Sequence, residues 1–188
     1  MSDKNSGKAY ELGLMVGRFQ MLHAGHIDMI EQALCVCDKV GIFVGSSQES
    51  GTAKNPFSYE LRKEMLERIF GEAIIVKPLP DIGVGNNSRW GDYVLKMTLE
   101  SFGRLPDIVV SGKEARRSTW YDGEAGEKIA ELMVPKRIGI SATEMRDFLT
   151  EGREEEWKKY ADERLHPMYE KLREAMLASR DRTDTASI

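Results

Sequence analysis

Leu12-Gly13-Leu14-Met15-Val16 is followed, with no spare chain, by Gly17-Arg18-Phe19-Gln20-Met21-Leu22 and then by His23-Ala24-Gly25-His26. Ile27, Ile30, Ala33 and Leu34 come next, separated by Asp28, Glu31 and Gln32. The apolar run reads as a buried strand and the last stretch, apolar at helical spacing, as an amphipathic helix. Two imidazoles therefore stand at a helix start, where backbone N–H groups lack intrahelical partners and the dipole is positive. Such a place binds anions, phosphate above all, and Gly25 lets a ligand come close to the backbone. Two other readings compete. Zinc takes three or four protein ligands, and His166, far along the chain, is the one further histidine. Two solvated surface histidines would explain a bare H-x-x-H, but not the preceding Gly17-Arg18-Phe19-Gln20 with a helix behind it.

Outward from this stretch the pattern repeats. Residues 39–45 read as a second buried strand, ending in the polar loop 46–52. Asn55-Pro56-Phe57-Ser58 opens a helix capped by Ser58, with Leu61, Met65, Leu66, Ile69 and Phe70 as its stripe. Residues 73–76 form a third strand, stopped by Pro78 and Pro80, before the glycine-rich loop 81–90 and another helix. Residues 108–110 are a fourth strand, ending at Ser111-Gly112-Lys113. A charged loop with Arg116, Arg117 and Trp120 leads to a short helix ending near Leu132. Residues 137–140 read as a brief fifth strand, and Ser141-Ala142-Thr143-Glu144 as a capping box opening a helix to Leu149. Beyond Glu151 the aromatic and methionine positions suggest two helices hinged at His166-Pro167.

Strands that are continuous apolar runs, alternating with helices, predict an α/β fold with a doubly wound, Rossmann-like parallel sheet of about five strands and added C-terminal helices. The suspicious loops all follow strands, so they should converge on the carboxyl edge of the sheet, where such folds bind ligands. Residues 10–150 make the main domain and 151–178 a helical extension of it, with 1–9 and 179–188 expected to be disordered.

The chain has 188 residues and a formal charge of −4. That length supports one core, and that charge argues against a general nucleic-acid binder without excluding a local cationic pocket. No stretch reads as a secretion signal or a membrane span. Cys35 and Cys37, two apart, read as reduced thiols of a cytoplasmic protein.

Two helix starts, at His26 and at Ser141–Thr143, with Arg18 and Arg146 beside them, offer amides, hydroxyls and full positive charges: the inventory a triphosphate needs. There is no P-loop lysine motif, no complete G-x-G-x-x-G and no nucleophile in an elbow-like turn. Positioning and charge stabilisation are the natural chemistry.

His23-Ala24-Gly25-His26 resembles the H-x-G-H signature of the nucleotidylyltransferase superfamily, and Ile140-Ser141-Ala142-Thr143-Glu144-Met145-Arg146 resembles its I-S-x-T-x-x-R signature. Gly17-Arg18-Phe19-Gln20 and the Asn55-Pro56-Phe57 segment with Arg62 are similar to the archaeal-type nicotinamide-nucleotide adenylyltransferases. Asp81, Asn86 or Asn87 and Trp90 resemble that group's nicotinamide-recognition loop, although Gly83-Val84-Gly85 makes this loop longer and richer in glycine. The resemblance implies in-line attack of an acceptor phosphate on the α-phosphate of ATP, releasing pyrophosphate. It casts His23, His26, Arg18 and Arg146 as catalytic. Gly17, Phe19, Gln20, Gly25, Gly112, Ile140, Ser141 and Thr143 would hold ATP. Asn55, Arg62, Asp81, Asn86, Asn87 and Trp90 would hold nicotinamide mononucleotide (NMN). Mg2+ would bridge phosphate oxygens with few or no protein ligands. From the residues alone, Arg62 is either a solvated arginine or an anion contact beside the second strand's carboxyl end, Trp90 is equally a half-buried aromatic, and the 116–120 loop is either a lid or a charged loop. Rival functions are transfer to nicotinate mononucleotide, phosphopantetheine, glycerol phosphate or choline phosphate, a class I aminoacyl-tRNA synthetase fragment, and a non-catalytic nucleotide sensor. A homo-oligomer is compatible with the aromatic C-terminal helices.

Overall fold

The computed structural model describes residues 7–112 and 116–185. Five parallel strands form one sheet in the order β3-β2-β1-β4-β5: β1 Tyr10–Gly17, β2 Cys37–Gly45, β3 Ile74–Leu79, β4 Ile108–Ser111 and β5 Ala130–Met133. Parallel strands need crossover helices. α1 (Ala24–Val36), α2 (Tyr59–Phe70) and α3 (Ser88–Phe102) supply them in the first half, and α4 (Glu124–Glu127) is a single turn before β5. Strand order reverses between β1 and β4, which places a crevice at their carboxyl ends. The expected Rossmann-like architecture is therefore present.

The elements start where the local chemistry predicts. Ser58 caps α2 by accepting from the Leu61 N–H at 3.2 Å, and Ser141 caps α5 (Ala142–Glu151) by accepting from the Glu144 N–H at 3.2 Å. One side of the sheet packs Met15, Ile42, Val44 and Val110 against α1, α2 and the C-terminal helices. The other packs Leu14, Phe43 and Val109 against α3, Trp120 and Tyr121. Gly91, in α3, is buried because the loop before α4 crosses over it: a Cβ there would lie 1.6 Å from the Trp120 carbonyl oxygen.

Three elements differ from expectation. The fifth strand is residues 130–133, not 137–140. Its Glu131 looks wrong for a strand, but its carboxylate accepts from the Ser111 hydroxyl of β4 at 2.9 Å and from the Arg116 N–H. Pro135 and Gly139 leave 137–140 irregular, and the expected helix to Leu132 stops at Glu127. β3 runs through Pro78 to Leu79, which an edge strand tolerates because the donor that proline lacks is not needed on its open side. Two helices do flank His166-Pro167: α6 (Glu154–Lys158) and α7 (Tyr169–Thr185), with a 3-10 segment, Glu163–Met168, between them. The polar stretch 179–185 is helical, and Ser179 is buried. Trp157, Leu165, Met168, Leu172 and Met176 join the main core. The expectations for residues 1–6, Lys113 and residues 186–188 fall outside the described residues. Cys35 is exposed and Cys37 buried, both as free thiols. Among the described residues no helix is long and apolar enough to cross a membrane.

Candidate active site

At the carboxyl ends of β1 and β4 lies a cavity of about 380 Å³. Both signature segments reach it: Arg18, Phe19, Gln20, His23, Gly25 and His26 from one side, Ile140, Ser141, Thr143 and Arg146 from the other, with Gly112 between. Sequence reasoning missed several more of its walls. Lys136 and Arg137 add two cations, and Met29, Val134 and Pro135 an apolar surface. Reading 137–140 as a strand hid Arg137, and Lys136 lies in irregular chain just before it. Among the described residues Asp28 is the single carboxylate in the lining, so a chain of net charge −4 carries a pocket of positive charge.

His23 is the N-cap of α1: its Nδ1 accepts from the Gly25 N–H at 3.1 Å. A neutral imidazole accepting at Nδ1 carries its proton on Nε2. Burial, with the Lys136 charge adding to it and Glu144 opposing, lowers the His23 pKa to about 4. The ring is therefore neutral at ordinary pH and still a donor. The His26 ring lies 4.0 Å away, tilted by 31°. The helix start differs from expectation, because its leading donors are taken: Ala24 N–H donates to the Tyr160 carbonyl at 2.8 Å, Gly25 N–H to His23, and His26 N–H to the His23 carbonyl at 2.8 Å. Side chains, more than free amides, are what α1 presents.

Phe19 is buried with φ of 50°, a left-handed conformation unusual for an aromatic residue. Its ring folds back over Gly17, where a Cβ would come within 2.9 Å of it, and packs against His26 at 5.1 Å. Gln20 lines the cavity, yet its amide binds the Phe57 backbone. The Arg146 guanidinium donates to the Gln20 carbonyl and, at 3.2 Å, to the Thr143 hydroxyl; burial lowers its pKa, and the Arg18 charge acts in the same direction.

The residues expected to hold the acceptor do not line this cavity; Asn55, Asp81, Asn86 and Asn87 sit on the loops after β2 and β3, and Arg62 and Trp90 in the first turns of the helices that follow, α2 and α3. Gln48 and Asp81 clip those loops together, Gln48 Nε2 donating to the Asp81 carbonyl at 3.2 Å and the Asp81 N–H to Gln48 Oε1 at 3.0 Å. Asn55 is buried and donates to Glu49. Asn87 caps α3, and Asn86 accepts from Trp120 Nε1. Trp90 is half-buried, packed on Tyr93 (5.4 Å) and edge-on to Trp120 (6.1 Å). Trp120 is itself buried under the Arg116 guanidinium, 4.4 Å from its centroid, so this loop is packed onto α3. Arg62 corrects both of its sequence readings. It is neither solvated nor exposed to a ligand; it is fully buried and donates to four backbone carbonyls.

Among the described residues no group of three or more His, Cys, Asp or Glu side chains is arranged to hold a metal ion. A cavity walled by cations suits a divalent ion only when the nucleotide's phosphates bring it.

Residues 14–148 match the cytidylyltransferase-like family. The chain is similar to the nicotinamide-nucleotide adenylyltransferase of Thermococcus onnurineus, with 39% identity over 78% of this chain and 75% of that protein. Its likeness to the enzyme of the same name from Thermococcus kodakarensis is 38% over the same shares. In fold it is similar to a bifunctional NMN adenylyltransferase/ADP ribose pyrophosphatase from Francisella tularensis, with a TM-score of 0.70 at 24% identity. That match covers 92% of this chain and 51% of the other, so the chain spans about half of that protein's length.

Proposed function

The chain belongs to the cytidylyltransferase-like family, and from that premise we infer that it is an adenylyltransferase that moves AMP from ATP to the phosphate of NMN, forming NAD and pyrophosphate. The observation that carries this reading is the meeting of two segments more than a hundred residues apart, His23–His26 and Ser141–Arg146, around one cationic cavity.

The chemistry follows from the residues. An NMN phosphate oxygen attacks the α-phosphorus of ATP in line, and the bond to the bridging oxygen breaks, leaving pyrophosphate. The transition state carries its charge on the phosphoryl oxygens, so preorganised donors and cations do the catalysis and no covalent intermediate is needed. His23 donates from Nε2–H while neutral, and His26 stands beside it at the same oxygens. Arg18 and Arg146 hold the triphosphate, with Ser141 and Thr143 at the second helix start. Lys136 and Arg137 extend the positive wall to the leaving pyrophosphate. Met29, Val134 and Pro135 supply apolar surface for the adenine. The divalent ion, Mg2+, arrives as part of the ATP substrate.

On the acceptor side, Trp90 stacks on the pyridine ring. Asn86, whose oxygen is already taken by Trp120, offers its amide N–H to the carboxamide, and Asp81, Asn55 and Asn87 shape the loops around it. Free thiols and a polar surface suit a cytoplasmic enzyme. The test is pyrophosphate release from Mg·ATP with NMN, nicotinate mononucleotide and phosphopantetheine offered separately. Turnover is expected with NMN. Turnover with phosphopantetheine alone would overturn the acceptor assignment, and silence with all three the enzyme assignment.

A further inference from the structure

On the reading just given, two phosphate-bearing substrates must meet at a fixed separation, and we propose that buried Arg62 sets it. Arg62 is a positioning residue that locks the end of β1, which leads into the ATP-side loop, to the end of β2, which leads into the acceptor-side loop. It touches neither substrate.

Its guanidinium is fully buried, and its four hydrogen-bond acceptors are all main-chain carbonyls. Nη1 donates to the Arg18 carbonyl at 2.9 Å and the Gly45 carbonyl at 2.8 Å; Nη2 donates to Ser46 at 3.2 Å, and Nε to Ser58 at 3.1 Å. One planar fork thus spans two strand ends and the cap of α2, a task that suits guanidinium and not ammonium. Burying a charge without a bonded carboxylate is costly, and a residue kept there at that cost needs a reason beyond filling space.

The backbone supplies a second, independent observation. Among the described residues, Phe19 (φ 50°) and Ser46 (φ 46°) are the non-glycine residues with positive φ. Phe19 directly follows one carbonyl that Arg62 holds, and Ser46 supplies another. Such conformations persist only where the surroundings impose them, and they gather at functional sites. At Phe19 the outcome is the ring that packs on His26. Arg18 turns its carbonyl to Arg62 while its side chain lines the cavity. Loosening this fork would leave each half-site intact but misalign one against the other, and transfer is sensitive to displacements of about 1 Å.

The experiment is steady-state kinetics of Arg62→Lys and of the double variant Arg62→Lys/Ser46→Gly, with folding followed by circular dichroism. Arg62→Lys is expected to lower kcat by roughly 10- to 100-fold while each KM stays within about threefold. Ser46→Gly is expected to recover part of that loss, because glycine takes up positive φ without being held. A folded Arg62→Lys variant with wild-type kcat, or one whose defect lies only in the KM for NMN, would overturn the proposal. So would a double variant that either turns over no faster than Arg62→Lys or does not fold at all, the latter making Arg62 a folding residue. Absence of turnover by the wild-type chain would instead strike the adenylyl-transfer reading.

Discussion

Gln20 and Phe57 bind each other twice: Gln20 Nε2 donates to the Phe57 carbonyl at 3.0 Å, and the Phe57 N–H donates to Gln20 Oε1 at 2.9 Å. Both residues are buried. The side-chain amide thus pairs like a second strand with the segment that leads into α2. Gln20→Ala should leave two buried backbone groups unpartnered and lower stability by about 2–4 kcal/mol. Gln20→Glu should be comparably damaging at neutral pH, since an ionised carboxylate cannot donate to the Phe57 carbonyl. Urea unfolding of the three proteins checks both.

His23 should make stability depend on pH. Its folded pKa of about 4 lies below the 6.5 of the unfolded chain, so the unfolded state binds more protons between those values. Stability is complete above 6.5 and falls by on the order of 3 kcal/mol as the pH drops toward 4. His23→Asn, which keeps an N-cap but does not titrate, should abolish that slope. Unfolding free energies at pH 7 and 4.5 for both proteins give the answer.

The same variant separates the two tasks of His23. Because asparagine caps helices well, His23→Asn should keep the melting temperature within a few degrees yet lower kcat by roughly 100- to 1,000-fold, the usual loss for one transition-state donor. His26→Ala should lose at least as much turnover. A His26→Ala protein with undiminished pyrophosphate release would overturn its catalytic role.

Trp90→Ala should raise the KM for NMN about tenfold or more and leave the KM for ATP almost unchanged, since stacking a base on an aromatic face contributes about 1–3 kcal/mol. A parallel rise in both constants, together with a fall in melting temperature, would mean that Trp90 mainly supports Tyr93 and Trp120.

Gly91→Ala should be severe for a residue outside the cavity. Its Cβ would fall 1.6 Å from the Trp120 carbonyl oxygen, so α3 or the 116–121 loop must move bodily. Thermal melting should show a drop of ten degrees or more, and Trp90 fluorescence should change with it.

Much of this was legible in the chain. Continuous apolar strands and helical stripes are local signals, and they identified the parallel sheet and the edge where loops gather. The two signatures marked His23, His26, Ser141, Thr143 and Arg146, which the fold brings to one cavity. What escaped was set by tertiary partners. Glu131 reads as a helix residue until the Ser111 hydroxyl beside it is seen. Arg62 reads as a surface cation because its four acceptors come from backbone carbonyls, which leave no trace in side-chain pattern. Lys136 and Arg137 lie in irregular chain, where no period marks a facing direction. Trp120 reads as part of a lid or a charged loop because its partners, Asn86 and Trp90, are distant in sequence.

The hydrogen bond from the Ala24 N–H to the Tyr160 carbonyl bears on how the protein is made. Translation delivers β1 and α1 first, but the group that closes the leading amide of α1 is polymerised only after all five strands. α1 therefore receives its final partner late, once the chain beyond α6 has been made. A product that terminates soon after Arg146 would display both signature motifs and still lack the finished start of the helix that bears His26.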